Sequence, residues 1–379
     1  MNRHWAALLV VVVIVEAFAI GYLVDTNNRL SSELNELQGK YQELLSKYEL
    51  VATVQYPLKL VDDANRVVVI KSEPQRIVSM SPSSTEILFA LGLGDRVVGV
   101  TQYCNYPPKV NELKEKGRLT VIGGFWTPDV EKIVALRPDL VISYSSVPSH
   151  VDVAKRLESM NVTVLLLFPR YLNDVFDNIV LIGKACGKLK EAQELVDQLR
   201  VRVKNVVEKV QGLPKVRVYL ELWFDPLMSA GPGTFIDELI GLTGGENVFH
   251  DAKSPWPVVD SEQVIRRDPE VIVLPDSYMS DYNVSVEQVR SRPGWQAISA
   301  VKNNRIYIID DDIIFRPGPR LVDALELLAK YIHPEALRAI SVVGDDRAYS
   351  IGDVISRLVL TGYTSQVYDT HSCPEALFA

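Results

Sequence analysis

The sequence predicts an α/β protein with two Rossmann-like lobes joined by a long, rigid helix, preceded by a transmembrane helix and a coiled-coil-like stalk. Two stretches of the chain alternate short apolar segments with amphipathic ones, a pattern typical of parallel sheets covered by helices. A stretch with few helix-breaking residues lies between them. A long apolar segment and a heptad pattern come first. The length of 379 residues suits two modest domains with appendages.

These observations divide the chain into six segments. The predicted segments are a membrane anchor at 1–25, a helical stalk at 26–53, an N-terminal lobe at 54–172, a connecting helix at 173–213, a C-terminal lobe at 214–334 and an extension at 335–379. The extension has no explanation from its sequence, although residues 351–360 have the pattern of an amphipathic helix.

The prediction of a membrane anchor comes from an almost uninterrupted apolar segment from Trp5 to Val24, which contains Glu16 as its one acidic residue. As a helix, about 20 residues span about 30 Å, which is enough to cross a bilayer core. Arg3 precedes the segment and favours a cytoplasmic N-terminus. A cleaved signal peptide is the alternative, because residues 17–19 resemble a small-residue cleavage site.

The prediction of a stalk comes from apolar residues that recur at alternating spacings of four and three from Leu30 to Val51. This heptad pattern predicts a helix with one apolar stripe, which either self-associates or stands alone. Pro57 ends that helix. The segments Leu58–Val61 and Val67–Ile70 flank turn-forming residues and predict a β-hairpin.

The prediction of two lobes comes from the alternation of predicted strands and helices. The predicted strands are Ile77–Met80, Val97–Val100, Leu140–Ser143, Val162–Phe168, Arg217–Leu222, Val271–Leu274 and Ile306–Ile309. The predicted helices are Ile87–Leu91, Glu131–Leu136, Val151–Met160, Phe235–Leu242, Glu262–Arg266, Val286–Arg290 and Leu321–Ile332. Between the lobes, 173–211 predicts either one long helix or a short helix followed by a long one, with Gly183 and Gly187 as its weak points. A stiff connector of this kind limits hinge motion.

Composition and motifs exclude several functions. The net charge of −8 provides no basic stripe, which argues against nucleic-acid binding. Three widely separated cysteines predict neither a disulfide framework nor a zinc site. The chain contains no G-x-S-x-G, no phosphate-binding loop and no H-E-x-x-H motif, so we expect no enzyme activity. A direct metal-ion receptor is a further alternative, for which His250 and Asp251 are the only adjacent pair.

One segment occurs twice with the same pattern. Residues 131–142 and 262–273 each open with a glutamate, place a proline seven residues later and an acid after it, and continue into an apolar strand. The repetition predicts equivalent acidic residues, Glu131 and Glu262, on the surfaces of the two lobes. The alternative is that each glutamate merely stabilises the N-terminus of its helix.

Several motifs in order resemble a known family. They are Arg76–Glu86, Ile122–Gly124, Glu131–Ile142, Gly244–Phe249 and Pro255–Pro257. They are similar to the helical-backbone (class III) substrate-binding proteins of ABC importers, closest to the cobalamin and ferric-siderophore binding proteins. The resemblance covers roughly residues 55–334. It implies an extracytoplasmic body, a permease dimer with its ATPase subunits as partner, and a small metal chelate as ligand.

The resemblance also implies roles for particular residues. Glu131 and Glu262 match the positions that dock on the permease subunits, with Glu86 as the second choice in the first lobe. The expected ligand-binding residues follow strands at the cleft between the lobes, where ligands bind in open α/β sheets. They are Tyr103, Phe125, Trp126, Tyr144, Trp223, Trp256, Asp312 and Arg316.

Flat aromatic faces with a few polar groups suit a large planar metal complex. The resemblance, which these aromatic residues fit, implies capture of a cobalamin-like corrinoid for import, without a resident cofactor. The alternatives are a ferric siderophore or haem for iron uptake, or a membrane-tethered ligand sensor. Arg316 could pair with a ligand carboxylate, and Tyr103 or Tyr144 could ligate haem iron.

Overall fold

The structure, a computed structural model, describes residues 54–277, 282 and 284–337, together with Lys40. The predicted anchor, almost all of the stalk, and the extension after Leu337 lie outside the described residues. Within the described part of the chain, no helix has both the length and the apolar composition needed to cross a membrane. The two lobes belong to one compact unit that begins at Tyr56.

The first lobe contains a five-stranded parallel sheet with the strand order β5-β4-β3-β6-β7. Its strands are β3 (Ile77–Ser79), β4 (Val97–Val100), β5 (Thr120–Val121), β6 (Leu140–Tyr144) and β7 (Val164–Leu167). Its helices are α1 (Pro82–Ala90), α2 (Lys109–Glu115), α3 (Val130–Ala135) and α4 (Pro148–Ser159), with a 3-10 turn at Gly94–Arg96. The strands β3, β6 and β7 are completely buried, which matches their largely apolar sequences.

The second lobe has the parallel order β10-β8-β11-β12, and β9 pairs antiparallel with β8. Its strands are β8 (Val216–Phe224), β9 (Leu227–Ser229), β10 (Gly245–Asn247), β11 (Val271–Pro275) and β12 (Ile306–Ile309). Its helices are α7 (Phe235–Leu242), α8 (Ser261–Arg267), α9 (Val286–Arg290), α10 (Ser299–Lys302), α11 (Asp311–Ile314), α12 (Leu321–Ile332) and α13 (Pro334–Leu337), with a 3-10 turn at Trp295–Ala297.

Two helices connect the lobes, α5 (Leu172–Ala185) and α6 (Leu189–Val210). Of the two predicted arrangements, the structure has the short helix followed by the long one. The break falls at Gly187, whose φ of +73° suits glycine and ends a helix. At Gly183 a β-carbon would lie 2.4 Å from that of Ala192, so this glycine permits close packing of α5 on α6.

The connecting helices share their core with both lobes. One buried apolar cluster includes Ile87 and Leu140 of the first lobe, Ile179 of α5, and Val218 and Leu325 of the second lobe. Burial of this continuous surface is the main force that holds the two sheets against the connecting helices.

A partly buried ion-pair group also joins α6 to the second lobe. Arg202 of α6 contacts Asp323 at 2.6 Å and Glu326 at 2.7 Å, both on α12. Arg202 Nε and Nη2 both donate to Glu326, and this bidentate geometry fixes the register of the two helices.

The predicted hairpin has the predicted bounds, β1 (Leu58–Val61) and β2 (Val67–Ile70). Its turn lies along the outer edge of β7. Asp62 accepts a hydrogen bond from the backbone N–H of Leu166, and Asp63 accepts one from that of Phe168. These carboxylates accept hydrogen bonds from backbone N–H groups that an edge strand would otherwise expose for pairing with another chain.

Candidate functional site

The repeated segment of the sequence has the same backbone structure in both lobes. Asp129 caps α3 and Asp260 caps α8, each accepting a hydrogen bond from the N–H three residues later. Glu131 and Glu262 therefore occupy the same position in the first turn of their helices. Both helices lead to a residue of positive φ, Arg137 and Asp268, directly before the proline.

The equivalence extends into the sheets. Asp139 accepts hydrogen bonds from the backbone N–H groups of Gln75 and Arg76, ahead of β3. Glu270 accepts one from the backbone N–H of Arg217, in β8. The two lobes thus repeat one β-α-β arrangement, and the predicted surface glutamates are equivalent. Both are exposed, and the Glu262 side chain is 87% exposed.

The lobes meet at the carboxyl ends of their strands through a group that we name the interlobe clasp: Glu86, Asn105, Asp312, Arg316 and Arg320. Arg320 donates to both carboxylate oxygens of Glu86, at 3.0 and 2.6 Å. Arg316 lies 3.6 Å from Glu86 and donates to Asn105 Oδ1 at 2.6 Å. Asp312 pairs with Arg316 and accepts from Asn105 Nδ2 at 2.7 Å. Predicted residues Asp312 and Arg316 are therefore in contact.

Local structure positions the second-lobe half of the clasp. Asp310 caps α11 by accepting from the N–H of Asp312, and Asp312 and Arg316 follow at a spacing of four residues. Gly318 lies against the start of α1, where a β-carbon would be 3.5 Å from Ser83. The Arg320 guanidinium carbon lies 4.0 Å from the centroid of the Tyr106 ring.

The clasp corrects one expectation. Glu86 was the second choice for docking in the first lobe, but its side chain is only 2% exposed and is paired with Arg320. A buried, paired carboxylate is not available to a partner protein, so Glu86 belongs to the lobe interface. Sequence reasoning did not identify Asn105 or Arg320, because their contacts join residues more than 200 positions apart.

The first-lobe aromatic residues separate into buried and accessible ones. Phe125 and Tyr144 are 1% and 5% exposed and belong to the core. Trp126, half-buried, packs edge-on against Phe125 with ring centroids 4.9 Å apart. Tyr103 is 48% exposed. Trp126 and Tyr103 therefore keep exposed surface, whereas Phe125 and Tyr144 lie in the core, where Phe125 contacts both Trp126 and Tyr144.

The Tyr144 hydroxyl is engaged within the protein. It lies 2.7 Å from Ser83 Oγ, and burial raises the pKa of Tyr144. A ligand metal would have to displace this hydrogen bond and stabilise a phenolate in a buried position. Tyr103 is the better placed of the two tyrosines for metal ligation.

A buried histidine supports this aromatic group. His150 Nε2 lies 2.6 Å from the carbonyl oxygen of Phe125, and its Nδ1 accepts from the N–H of Tyr144 at 3.3 Å. This pattern requires the proton on Nε2. Burial lowers the pKa of His150 to about 4, so the ring is neutral near neutral pH. The histidines are scattered in the sequence, and nothing there singled out His150.

The second-lobe tryptophans are half-buried. Trp223 lies at the end of β8, 4.8 Å from both the Phe224 and the Tyr282 ring centroids, and its Nε1 donates to the Asp225 carbonyl. Trp256 lies 6.4 Å from the Phe235 ring. Each tryptophan keeps part of its surface available for contact with a ligand.

Three carboxylates form what we name the acidic edge: Asp276 after β11, and Asp310 and Asp311 after β12. They can place one oxygen each within 4.8 Å of one another, and within the described residues they are the one such group that could hold a metal ion. Burial and then mutual repulsion raise the pKa of Asp276 to about 7. Burial also raises the pKa of Asp311, to about 6, and that of Asp310.

The adjacent pair considered for a metal-ion receptor is not a joint site. His250 contacts Asp237 at 2.8 Å, whereas Asp251 pairs with Arg267 at 2.7 Å. Within the described residues, Cys104 and Cys186 are buried free thiols.

Comparison with known proteins agrees with this architecture. A family model described as "Periplasmic binding protein" matches residues 77–313. The chain is 35% identical over 289 residues to an ABC transporter substrate-binding lipoprotein of Bacillus subtilis (strain 168), covering 75% of this chain and 88% of that protein.

Two solved structures extend the comparison. The periplasmic vitamin B12 binding protein of Vibrio cholerae has a TM-score of 0.60 and 29% identity, covering 69% of this chain and 97% of that one. The periplasmic heme-binding protein of Roseiflexus sp. RS-1 has a TM-score of 0.61 and 26% identity, covering 69% and 99%. The chain therefore belongs to the periplasmic binding protein family, in the ABC-importer class that its motifs resemble, and it is a binding protein rather than an enzyme.

Proposed function

We propose that this protein captures a cobalamin-like corrinoid outside the cytoplasm and delivers it to an ABC permease. The observation that carries the proposal is membership of a family whose similar structures include a vitamin B12 binding protein, together with two lobes that meet at the carboxyl ends of their strands. Ferric-siderophore or haem capture is the alternative, since a heme-binding structure is similar to a comparable degree.

Capture uses the partly exposed aromatic side chains on both sides of the lobe junction. Tyr103 and Trp126 come from the first lobe, and Trp223 and Trp256 from the second. The indole Nε1 of Trp126 is buried and has no hydrogen-bond partner within the described structure, so a ligand would contact the exposed part of this ring rather than its N–H. Phe125 packs against Trp126, and Tyr144 packs against Phe125.

Delivery uses Glu131 and Glu262. They are exposed, lie in equivalent first turns, and belong to different lobes. One charge on each lobe sets the register and orientation of the docked protein more than it sets affinity. Opening of the permease would then draw the lobes apart and release the ligand.

The proposed location is the outer face of the cell membrane. The Bacillus subtilis relative is described as a lipoprotein. In this chain, the apolar segment from Trp5 to Val24 would serve as the anchor and the heptad segment as the stalk.

The docking step predicts a separation of binding from transport. The double variant Glu131→Ala with Glu262→Ala should lose uptake of labelled cobalamin in cells that also express the permease and ATPase, because both orienting charges are gone. Its affinity for the ligand should stay within about twofold of the wild type. Loss of ligand binding in this variant would refute the docking assignment.

The matched control is the double variant Glu112→Ala with Glu287→Ala. These residues are also exposed glutamates in first turns, at α2 of the first lobe and α9 of the second. This variant should transport normally. Equal loss of transport in both double variants would mean that net charge, rather than position, governs docking.

A further inference from the structure

The charges at the lobe junction limit the charge of the ligand, an inference that rests on the proposed function. Arg316 is the first group to consider, because a cleft arginine would normally pair with a ligand carboxylate. Its Nη1 donates to Asn105 and lies 3.6 Å from Glu86. Its Nη2 donates to the Tyr103 carbonyl and pairs with Asp312. With 10% of its side chain exposed, this guanidinium is already occupied by protein acceptors.

Arg320 is occupied in the same way. It binds both oxygens of Glu86, and the face of its guanidinium lies over the Tyr106 ring. Its side chain is 13% exposed. Burial raises the pKa of Glu86, while the two guanidinium groups oppose that rise. The two positive charges of the arginines are therefore balanced by the negative charges of Asp312 and Glu86. A ligand anion would have to displace a protein carboxylate to reach either arginine.

The acidic edge adds negative charge beside this compensated group. Asp310 and Asp311 follow β12, whose end leads into the clasp, and Asp276 follows the neighbouring strand β11. Carboxylates crowded in a half-buried position produce a negative potential that water screens incompletely. Their raised pKa values show the same crowding, and the negative charge grows as pH rises through about 7.

Two other cations lie at the ends of first-lobe strands. Arg170 follows β7, where its guanidinium carbon lies 5.3 Å from the Phe168 ring centroid. Lys114 of α2 donates to the Gln102 carbonyl, after β4. Lys114 is partly exposed and Arg170 is exposed, so solvent and salt screen these charges more than those of the half-buried acidic edge.

From these contacts we propose that the site selects neutral or cationic chelates over matched anionic ones. The surface that meets the second lobe favours groups that donate hydrogen bonds to carboxylates, such as the primary amides around a corrinoid ring. It disfavours chelates with free carboxylates, such as haem with its two propionates. The charge of the ligand, rather than the metal it carries, is what the acidic edge and the clasp distinguish.

The test uses two pairs of probes that differ mainly in charge. The first pair is cyanocobalamin and its monocarboxylate, in which one amide is replaced by a carboxylate. The second is ferrioxamine B, a cation, and its N-succinyl derivative, an anion. Each probe is titrated calorimetrically into the full chain at pH 8 and about 20 mM salt, where screening is weak.

In whichever pair binds, the neutral or cationic member should bind about tenfold more tightly. The preference should fall to about threefold or less at about 1 M salt. It should also fall in the double variant Asp310→Asn with Asp311→Asn, because asparagine preserves the helix cap and removes the charge. The control double variant, Asp152→Asn with Asp177→Asn on exposed acids of α4 and the connecting helix α5, should keep the full preference.

The possible results separate the two claims. Equal or tighter binding of the anionic member would overturn the charge inference while leaving capture of a chelate intact. A preference that survives both high salt and the Asp310 and Asp311 substitutions would also overturn it, because the selectivity would then be steric. If neither pair binds, the proposed function falls and the inference falls with it.

Discussion

His150 shows how one buried side chain holds the aromatic surface in place. Its ring connects the end of β6, through Tyr144 N–H, to the loop that carries Phe125 and Trp126. The bond that Nδ1 accepts from Tyr144 N–H requires the neutral ring, and the bond to the Phe125 carbonyl places the proton on Nε2. A charged imidazolium would lose its acceptor nitrogen and would leave the Tyr144 N–H buried without a partner.

This arrangement predicts a pH-dependent stability. The pKa of His150 is about 4 in the folded protein against 6.5 for a free histidine, so the unfolded chain binds the extra proton first. The His150 contribution to the free energy of unfolding, about 3 kcal/mol, should be complete above pH 6.5 and should be lost as pH falls to about 4.

Urea denaturation of the wild type and of His150→Gln at several pH values measures this contribution. Glutamine can keep a donor and an acceptor but does not titrate, so the stability advantage of the wild type should shrink as pH falls. Lys155→Gln, on an exposed side chain of the same helix, is the control. A constant difference between wild type and His150→Gln from pH 7.5 to pH 4 would contradict the account.

Single residues also mark the limit of sequence reasoning. The sequence placed Phe125, Trp126 and Tyr144 together near the cleft, and the structure brings their rings into one group. The sequence alone could not show which of these rings are exposed to solvent. Phe125 and Trp126 are neighbours in a loop, where no period assigns side chains to a face, so their different burial could not be predicted.

At the scale of elements, the interlobe clasp connects α1 to the segment after α11. Glu86 and Arg320 are 2% and 13% exposed and form two hydrogen bonds. Removing one partner of a buried ion pair leaves an uncompensated charge, which commonly costs about 3–5 kcal/mol.

Glu86→Ala should therefore lower the free energy of unfolding by about 3 kcal/mol or more, as measured in urea. Asp152→Ala serves as control, because its pair with Lys155 is more than 70% exposed on both sides and should contribute less than about 0.5 kcal/mol. Equal small losses in the two variants would show that the clasp is not a significant stabilising contact.

Elements also differ in how far the sequence predicted them. Val97–Val100, Phe235–Leu242 and Leu321–Ile332 have the predicted bounds, because apolar periodicity and flanking breakers agree there. The short elements β5, β9 and β10 were missed, since two or three residues carry no period. The break at Gly187 remained open because Gly183 and Gly187 were equal candidates in the sequence, and only the structure shows that Gly183 instead packs α5 against α6.

At the scale of the whole molecule, two equivalent halves are joined by helices that share a core with both. The repeated pattern predicted this equivalence, and the structure extends it to the caps, the residues of positive φ and the acids that fix the first strands. The contacts between the halves were not predictable, because the clasp joins side chains whose pairing no local pattern specifies.

The central claim, that the lobes capture a metal chelate for import, has one direct measurement. The full chain is titrated in turn with cyanocobalamin, haemin and a ferric hydroxamate, and tryptophan fluorescence is followed. The account predicts saturable, one-to-one quenching by cyanocobalamin, which is reduced when Trp126 and Trp223 are both replaced by phenylalanine. Absence of saturable binding for all three chelates would contradict it.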